Sequence, residues 1–474
     1  PIAHKLFFLM SYFDFKKDLN SLKMVENSLK KMGSGGIYVH IGFGFHRYST
    51  DRKWLVPHFE KMLYDQALLV KAYTNAWQIS RRDYYKNKVF EILDYVSREL
   101  LSDDGGFYSA EDADSEGVEG KFYLWKAIEL RELLGDDYNL CKQYFGVKEE
   151  GNYRDEKTGE FNGQCILHLG DEYEVEDSEL IREEDKLKIE SIRKRLFELR
   201  ELRIHPFKDK KILTDWNGLM MEAMALAGKV FKKQSYTEIA IKNFHYLNSK
   251  KTRDGLLFHS IENEIPANLD DYAFLCAGII ELFRSTFDIR YIKEAVELQE
   301  VLIKHFWDEE QGGFFFTSDF SEKIIVRKKE IYDGAIPSGN SVELMNLLKL
   351  YRITGDIRYK KYIDGLVRCF SGSVNEYPIA YTYFLNSLMM YLNLSREIVF
   401  VVKDLKQVAT YLEILNGKYI PNFNITVKTE INGDELSEIA KFTKDMIMQE
   451  NKPTMYFCSE YKCEYPIYDN DLIL

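Results

Sequence analysis

The chain has 474 residues, 45% of them hydrophobic, enough for one large core and a second small one without disulfide or metal staples. Its formal charge of -12 opposes the clustered basic face that nucleic-acid phosphates require, so no nucleic-acid partner is expected. No apolar run approaches the roughly 20 residues that span a bilayer, and no charged stretch with an apolar signal core opens the chain, so the sequence reads as a soluble, cytoplasmic protein without a membrane partner.

The chain opens at Pro1 inside an amphipathic helix carrying Leu6, Phe7, Leu9, Met10 and Phe13, which predicts a further N-terminal portion ahead of it. The glycine-rich stretch from Gly33 to Gly44 lacks the Gly-Lys-Ser/Thr ending of a phosphate loop, so no nucleotide cofactor is expected there. Next comes a dense polar cluster, His46-Arg47-Tyr48-Ser49-Thr50-Asp51, followed by Trp54 to Lys61 entering a helix. His46 and His58 can exchange protons beside a carbonyl, Arg47 can hold an anionic group as a planar fork, and Tyr48, Trp54 and Glu60 are candidate ligand contacts. The bland alternative is that His58 caps the helix and Glu60 pairs with Lys61.

Helical spacing of apolar residues runs through most of the first 395 positions, for example Met62, Leu63, Leu69, Val70, Tyr73 and Trp77. Helical pairs are predicted at about 1–32, 59–100, 216–249, 270–305 and 339–370, with one more helix at 376–393. Within the pairs, breaks such as Arg82-Asp83-Tyr84-Tyr85, Lys233-Gln234-Ser235-Tyr236, Phe287 to Tyr291 and Gly355 to Tyr359 resemble one another, the small polar residue serving as N-cap. Glycine–aromatic stretches at 35–38, 105–108, 254–258 and 312–316 lead into short strands that gather at one end. Such repeated hairpins predict an all-α toroid with short β-hairpins at one end; an open solenoid is the structural alternative.

The strongest local signal is Glu111-Asp112-Ala113-Asp114-Ser115-Glu116-Gly117, bracketed by Phe107-Tyr108 and Phe122 to Trp125. Acids beside aromatic rings suit a sugar, because carboxylates bind hydroxyls or move protons while flat rings cover the apolar face of a pyranose. An exposed turn is the alternative, and a calcium loop fails because Tyr123 stands where the bidentate Glu belongs. Residues 171–202, acidic at Asp171, Glu172, Glu174 and Glu176 and basic at Arg193, Lys194 and Arg195, predict a solvated outer helix with Ile189, Ile192, Leu196 and Leu199 on one stripe. Asp215-Trp216-Asn217-Gly218, Asp270-Asp271-Tyr272 and Asp333 to Asn340 open further helices, where Asp is either a cap or part of a site. After residue 396 short β-rich runs at 398–402, 425–427 and 455–458 alternate with helix, a small α/β unit. The six cysteines are scattered, which suits a reducing compartment, and Cys458 and Cys463 read as structural or adventitious thiols rather than zinc ligands, so no metal is expected.

Four motifs, Trp54 to Asp65, Phe107 to Gly117, Leu213 to Gly218 and Ala335 to Ser341, closely resemble the spermatogenesis-associated protein 20 (YyaL-type) family, nearly end to end and in the right order. Pro453-Thr454 through Cys458 and Cys463 resembles that family's C-terminal end. The chain departs from the family at Gly42-Phe43-Gly44-Phe45, where members show Gly-Gly-Gly-Phe, and at His40, where they show Asp. The resemblance implies a six-hairpin, glycosidase-like (α/α)6 barrel related to N-acylglucosamine 2-epimerases over 1–395, a small α/β subdomain over 396–474, and a thioredoxin-like domain that usually precedes the barrel as a partner.

Three functions follow. The first is a carbohydrate-active or carbohydrate-binding protein with Asp112, Asp114, Asp215 and Asp271 as acid candidates, Trp54, Trp125 and Trp216 as ring platforms, and Glu111, Asn217, Tyr272 and Asn340 as further contacts. The second is an epimerase or isomerase in which His46 and His58 shuttle the proton. The third is a non-catalytic module serving the thioredoxin-like domain.

Overall fold

The structure, a computed structural model, describes residues 2–154, 159–170, 173, 182–252, 254–322 and 325–468. Five helical hairpins form in chain order, α1 (Ala3–Lys16) with α2 (Leu19–Ser34) and α3 (Leu63–Ser80) with α4 (Asp83–Tyr95) being the first two. An insertion carrying α5 (Ala127–Leu134), α6 (Tyr138–Tyr144) and α7 (Glu183–Arg200) follows. The remaining hairpins are α8 (Thr214–Phe231) with α9 (Gln234–Ser249), α10 (Leu269–Thr286) with α11 (Ile289–Phe306), and α12 (Gly339–Thr354) with α13 (Arg358–Glu376). A last helix, α14 (Thr382–Leu392), leads into the C-terminal sheet.

The first helix of each hairpin, together with α14, forms an inner ring in which α1, α3, α8, α10, α12 and α14 pack in succession and α14 closes onto α1. Burial separates inner from outer: α8 and α10 each bury 14 of 18 residues, whereas α11 buries 8 of 18 and keeps a polar face to solvent. A closed ring removes the free ends that an open stack exposes, so the chain is an (α/α)6-type toroid with five complete hairpins. The tightest crossing lies between α8 and α10, where a Cβ at Gly218 would stand 2.5 Å from the Leu275 nitrogen and one at Gly278 2.8 Å from the Gly218 carbonyl.

At one end, inner and outer helices are joined by minimal breaks. Lys17, Arg81, Lys232, Phe287 and Gly355 each take a left-handed conformation just past the inner helix and end it within one residue. Asp288 caps α11 as the sequence predicts, accepting from the Arg290 amide at 3.0 Å. Asp83 and Ser235 instead fall inside α4 and α9, which begin one turn position earlier than the side-chain chemistry suggests.

At the other end long loops carry the chain back to the next inner helix, and their glycine–aromatic strands are braced by side chains near the start of that helix. The Phe45 amide and carbonyl bond the Gln66 side chain, those of Phe107 bond Asn217, and those of Phe314 bond Asn340, at 2.7–3.0 Å. In the fourth copy the Tyr272 hydroxyl accepts from the Leu257 amide at 3.1 Å. Each brace satisfies buried backbone groups that have no ladder partner, which ties every loop to its helix.

The 59–62 segment is not helical: His58 lies in a short strand, Pro57–His58, paired with Tyr48–Ser49, and the helix opens only at Leu63. In the insertion, α7 buries Ile189, Ile192 and Leu196 against α5 and α6, with Ile41 and Trp125 in the same small core. Leu199 is only partly buried, and the acidic start read at 171–176 lies outside the described residues.

The C-terminal strands Arg396–Val402 and Phe423–Thr429 pair in parallel, and Thr454–Ser459 adds antiparallel on the other side of 396–402. Cys458 and Cys463 face one another across the hairpin to Lys462–Cys463 and form a disulfide, which corrects the reading of both as free thiols and removes the cysteine argument for a reducing compartment. This unit sits over the far end of the ring, where Gln78 donates to the Asn416 carbonyl at 2.6 Å and Arg352 to the Asn422 carbonyl at 3.1 Å. No helix among the described residues is long and apolar enough to cross a membrane.

Candidate active site

The starts of α8 and α10 bring three ionisable side chains together. His259, on the strand Phe258–Ser260 that leads into α10, shares its Nδ1 proton with Asp271 at 2.9 and 3.2 Å and lies 4.0 Å from Asp215. Asp271 is fully buried and also accepts from the amides of Asn268 and Asp215, at 2.9 and 3.1 Å. Asp215, 4% exposed, accepts from the Trp216 amide at 2.8 Å.

These contacts decide where the charge sits. Burial raises both carboxyls, and the neighbouring Asp271 charge raises Asp215 further. Three donors stabilise the Asp271 anion and one, the Trp216 amide, stabilises that of Asp215, so Asp215 is the carboxyl of the two that is held further above the usual carboxylate range. The hydrogen bond to Asp271 pushes His259 up to about 9, keeping it an imidazolium at neutral pH. Next to them Asp270, half-buried, accepts from the Gly339 amide at 2.8 Å and is pushed up to about 7 by desolvation and by Asp271. A carboxyl raised by burial, a carboxyl poised near neutrality and an ion pair therefore share one helix mouth. Asp215, His259 and Asp271 also offer ligand atoms within 4.8 Å of one another, a spacing open to a metal ion.

The cluster continues around the ring. Trp216 meets Tyr64 edge-on at 4.8 Å, Arg47 donates to the Tyr64 hydroxyl at 3.2 Å and to Glu60 at 2.8 Å, and Glu60 lies 3.1 Å from His58. His58 in turn holds Glu119 at 2.7 Å, and Tyr48 lies over it at 5.0 Å. Beside Tyr64, Asp65 is 3% exposed with one oxygen unpartnered, and burial pushes it up to about 8. The run from Gly339 to Glu119 is unbroken, so Arg47, Tyr48, His58, Glu60, Asp215, Trp216 and Asp271 adjoin one mouth.

Other predicted residues are placed differently. Asp112 and Asp114 are exposed on the hairpin of Asp114–Ser115 with Val118–Glu119, which reaches the mouth through Glu119 rather than through its acids. Glu111 is buried, accepting from the Tyr95 hydroxyl at 2.7 Å with Lys208 at 3.8 Å. Asn217, Asn340 and Tyr272, all fully buried, are occupied in bracing the strands described above. Trp125 is 2% exposed with the Arg203 guanidinium 3.9 Å over its ring, which leaves it no free face. Trp54 takes a left-handed conformation and packs its Cβ against Gly35. His46 is 1% exposed, bonds the Phe59 carbonyl at 2.8 Å and lines a cavity of about 20 Å³, so a substrate arriving from solvent does not reach both His46 and His58. The imidazole beside the buried acids is His259, which no motif marks; its one signal is its place directly after the glycine–aromatic stretch at 254–258.

Fold and mouth together define an (α/α)6-type toroid with a buried acid cluster at the leading ends of its inner helices. The chain is 32% identical to human spermatogenesis-associated protein 20 over 490 residues, covering 94% of this chain and 61% of that protein. It is 31% identical to an uncharacterised Caenorhabditis elegans protein over 504 residues, covering 98% of this chain and 68% of that one. The chain belongs to the spermatogenesis-associated protein 20 family, and it spans about three fifths of the length of the mammalian relatives it matches. No family model matches. Among solved structures, cellobiose 2-epimerase from Bacillus thermoamylovorans is similar at a TM-score of 0.49 and 8% identity, covering 82% of this chain and 87% of that one. A GH76 alpha-mannanase of Bacteroides thetaiotaomicron is similar at 0.36 and 10% identity, covering 81% and 87%.

Proposed function

We propose that the chain is a carbohydrate-active enzyme working by carboxyl acid–base chemistry at this mouth. The observation that carries the reading is the convergence of Asp215, Asp271 and His259 at the α8 and α10 starts, where burial and the Asp271 charge raise Asp215 well above the usual carboxylate range. Cleaving or rearranging a sugar acetal needs a carboxylic acid that stays protonated at neutral pH and a second carboxyl that is available as base or nucleophile. Asp215 fills the first role and Asp270 the second. Asp271 and His259 act as positioning residues, since Asp271 is sealed and its charge adds to the burial that raises Asp215 and Asp270. Trp216 offers an aromatic surface beside the acid, and the Arg47, Glu60 and His58 side chains supply donors and acceptors for hydroxyls. Asp112 and Asp114, standing outward on the hairpin, fit contacts to distal parts of a longer ligand better than they fit the reacting centre.

Titration calorimetry over a panel of mono- and disaccharides tests this reading. At least one sugar is expected to bind, and Trp216→Ala to weaken it by about tenfold, the equivalent of one aromatic contact. Absence of heat from every sugar, in wild type and variant alike, would remove carbohydrate from the account.

A further inference from the structure

The far end of the ring holds a second chamber, of about 160 Å³, lined by all six inner helices and closed by residues 415–425 of the C-terminal unit. It lies at the opposite ends of the helices from the acid mouth, and the proposed sugar chemistry has no use for it. Two carboxylates, Glu222 and Glu281, share its wall with six cations, Lys71, Lys229, Arg284, Lys349, Arg352 and Lys418, and each carboxylate is shared by two of the first four. Glu222 bonds Lys71 at 2.7 Å and lies 3.5 Å from Lys349; Glu281 bonds Lys229 at 2.5 Å and Arg284 at 3.0 Å. The wall therefore carries more positive than negative charge in a largely buried space.

Helix dipoles balance only part of this excess. Lys229 and Arg284 lie in the last turns of α8 and α10, where the free carbonyls favour cations. Lys349 lies more than a turn before the end of α12, beyond the reach of that effect, and its ammonium makes no hydrogen bond among the described residues. Burial lowers Lys349 and pushes Lys229 down to about 8, the signature of ammonium groups that lack sufficient negative partners. Arg352, also at the wall, does not supply the missing balance, because it is a further cation bonded to the carbonyls of Met390, Asn393 and Asn422.

We propose that this chamber binds a small dianion of the phosphate type, either free phosphate or the phosphate group of a small organic molecule. The excess of positive charge suits an anion, and a dianion offsets more of it than a single carboxylate does. The cations arrive from four successive inner helices and so surround the chamber, which suits a compact group with oxygens on every side better than a planar carboxylate. The volume corresponds to about five water molecules, room for a phosphate and a short organic portion.

The test is titration calorimetry of the full chain with inorganic phosphate and, separately, glycerol phosphate, against sodium chloride at matched ionic strength. Saturable binding of one equivalent at about 1 mM or tighter is expected, weakened at least about tenfold in Lys349→Met. Tighter binding of glycerol phosphate than of free phosphate identifies an organic phosphate as the occupant; the reverse order identifies the free ion. In the absence of phosphate, Lys349→Met is expected to melt at a higher temperature than wild type, because it removes an uncompensated charge. Heats no different from those with chloride, or equal affinity in Lys349→Met, would overturn the proposal. Should that variant fail to fold, phosphorus NMR of phosphate with wild type decides: broadening reversed by sulfate supports the site, and an unchanged line refutes it.

Discussion

Asp215→Asn is expected to lower turnover of a glycoside by about 10²- to 10⁴-fold, the range associated with losing a positioned general acid. Asn keeps the shape of the side chain and can still accept from the Trp216 amide, so folding and sugar affinity should change little. What disappears is the ionisable carboxyl that burial and the Asp271 charge hold above the usual range. The deficit should shrink on substrates with activated aryl leaving groups, which depart without protonation. Steady-state kinetics on paired activated and unactivated substrates checks this, and turnover within about tenfold of wild type on both would exclude Asp215 as the acid.

Asp271→Asn is expected to reduce stability by about 2–4 kcal/mol at pH 6, because it removes one member of a mostly buried ion pair and weakens three hydrogen bonds. The pH dependence has a definite sign. His259 is raised from 6.5 to about 9 in the folded state, so the pair's contribution is complete below pH 6.5 and is lost as pH rises through 9. The stability gap between wild type and Asp271→Asn should accordingly narrow over that window, and the His259 imidazole should titrate below pH 7 in the variant. Urea unfolding at pH 6 and pH 9.5, with NMR of the His259 ring, measures both. A gap independent of pH would mean that His259 is not held charged by Asp271.

The ring itself was legible because its signals are local. The inner helices α3, α8, α10 and α12 bury most of their residues, each break carries a short polar sequence, and the return loops carry glycine before an aromatic residue. The acid cluster was half legible. Asp215 and Asp271 stand at helix starts, but an Asp there is equally a cap, and Asp271 does complete a capping box with Asn268. Only the return of His259 to the same point, twelve residues earlier in the chain, distinguishes the two roles. Asn217, Asn340 and Tyr272 show the converse: polar groups at a helix mouth look like ligand contacts until the strands they brace are folded against them. Trp125 resembled a sugar platform for its neighbours in sequence, whereas Arg203 and the insertion core cover it in space. The far chamber was invisible for a similar reason, since Lys71, Glu222, Glu281 and Lys349 lie on four helices spread over most of the chain.

The proposed chemistry processes a sugar at the leading ends of the inner helices with Asp215 as the acid. A crystal structure of Asp215→Asn soaked with a disaccharide found by calorimetry tests it most directly. One sugar ring is expected against Trp216, with the glycosidic oxygen about 3 Å from the side chain at position 215, within reach of proton transfer. A disaccharide seated only on the outer hairpin beside Asp112 and Asp114, or in the chamber at the far end, would contradict it.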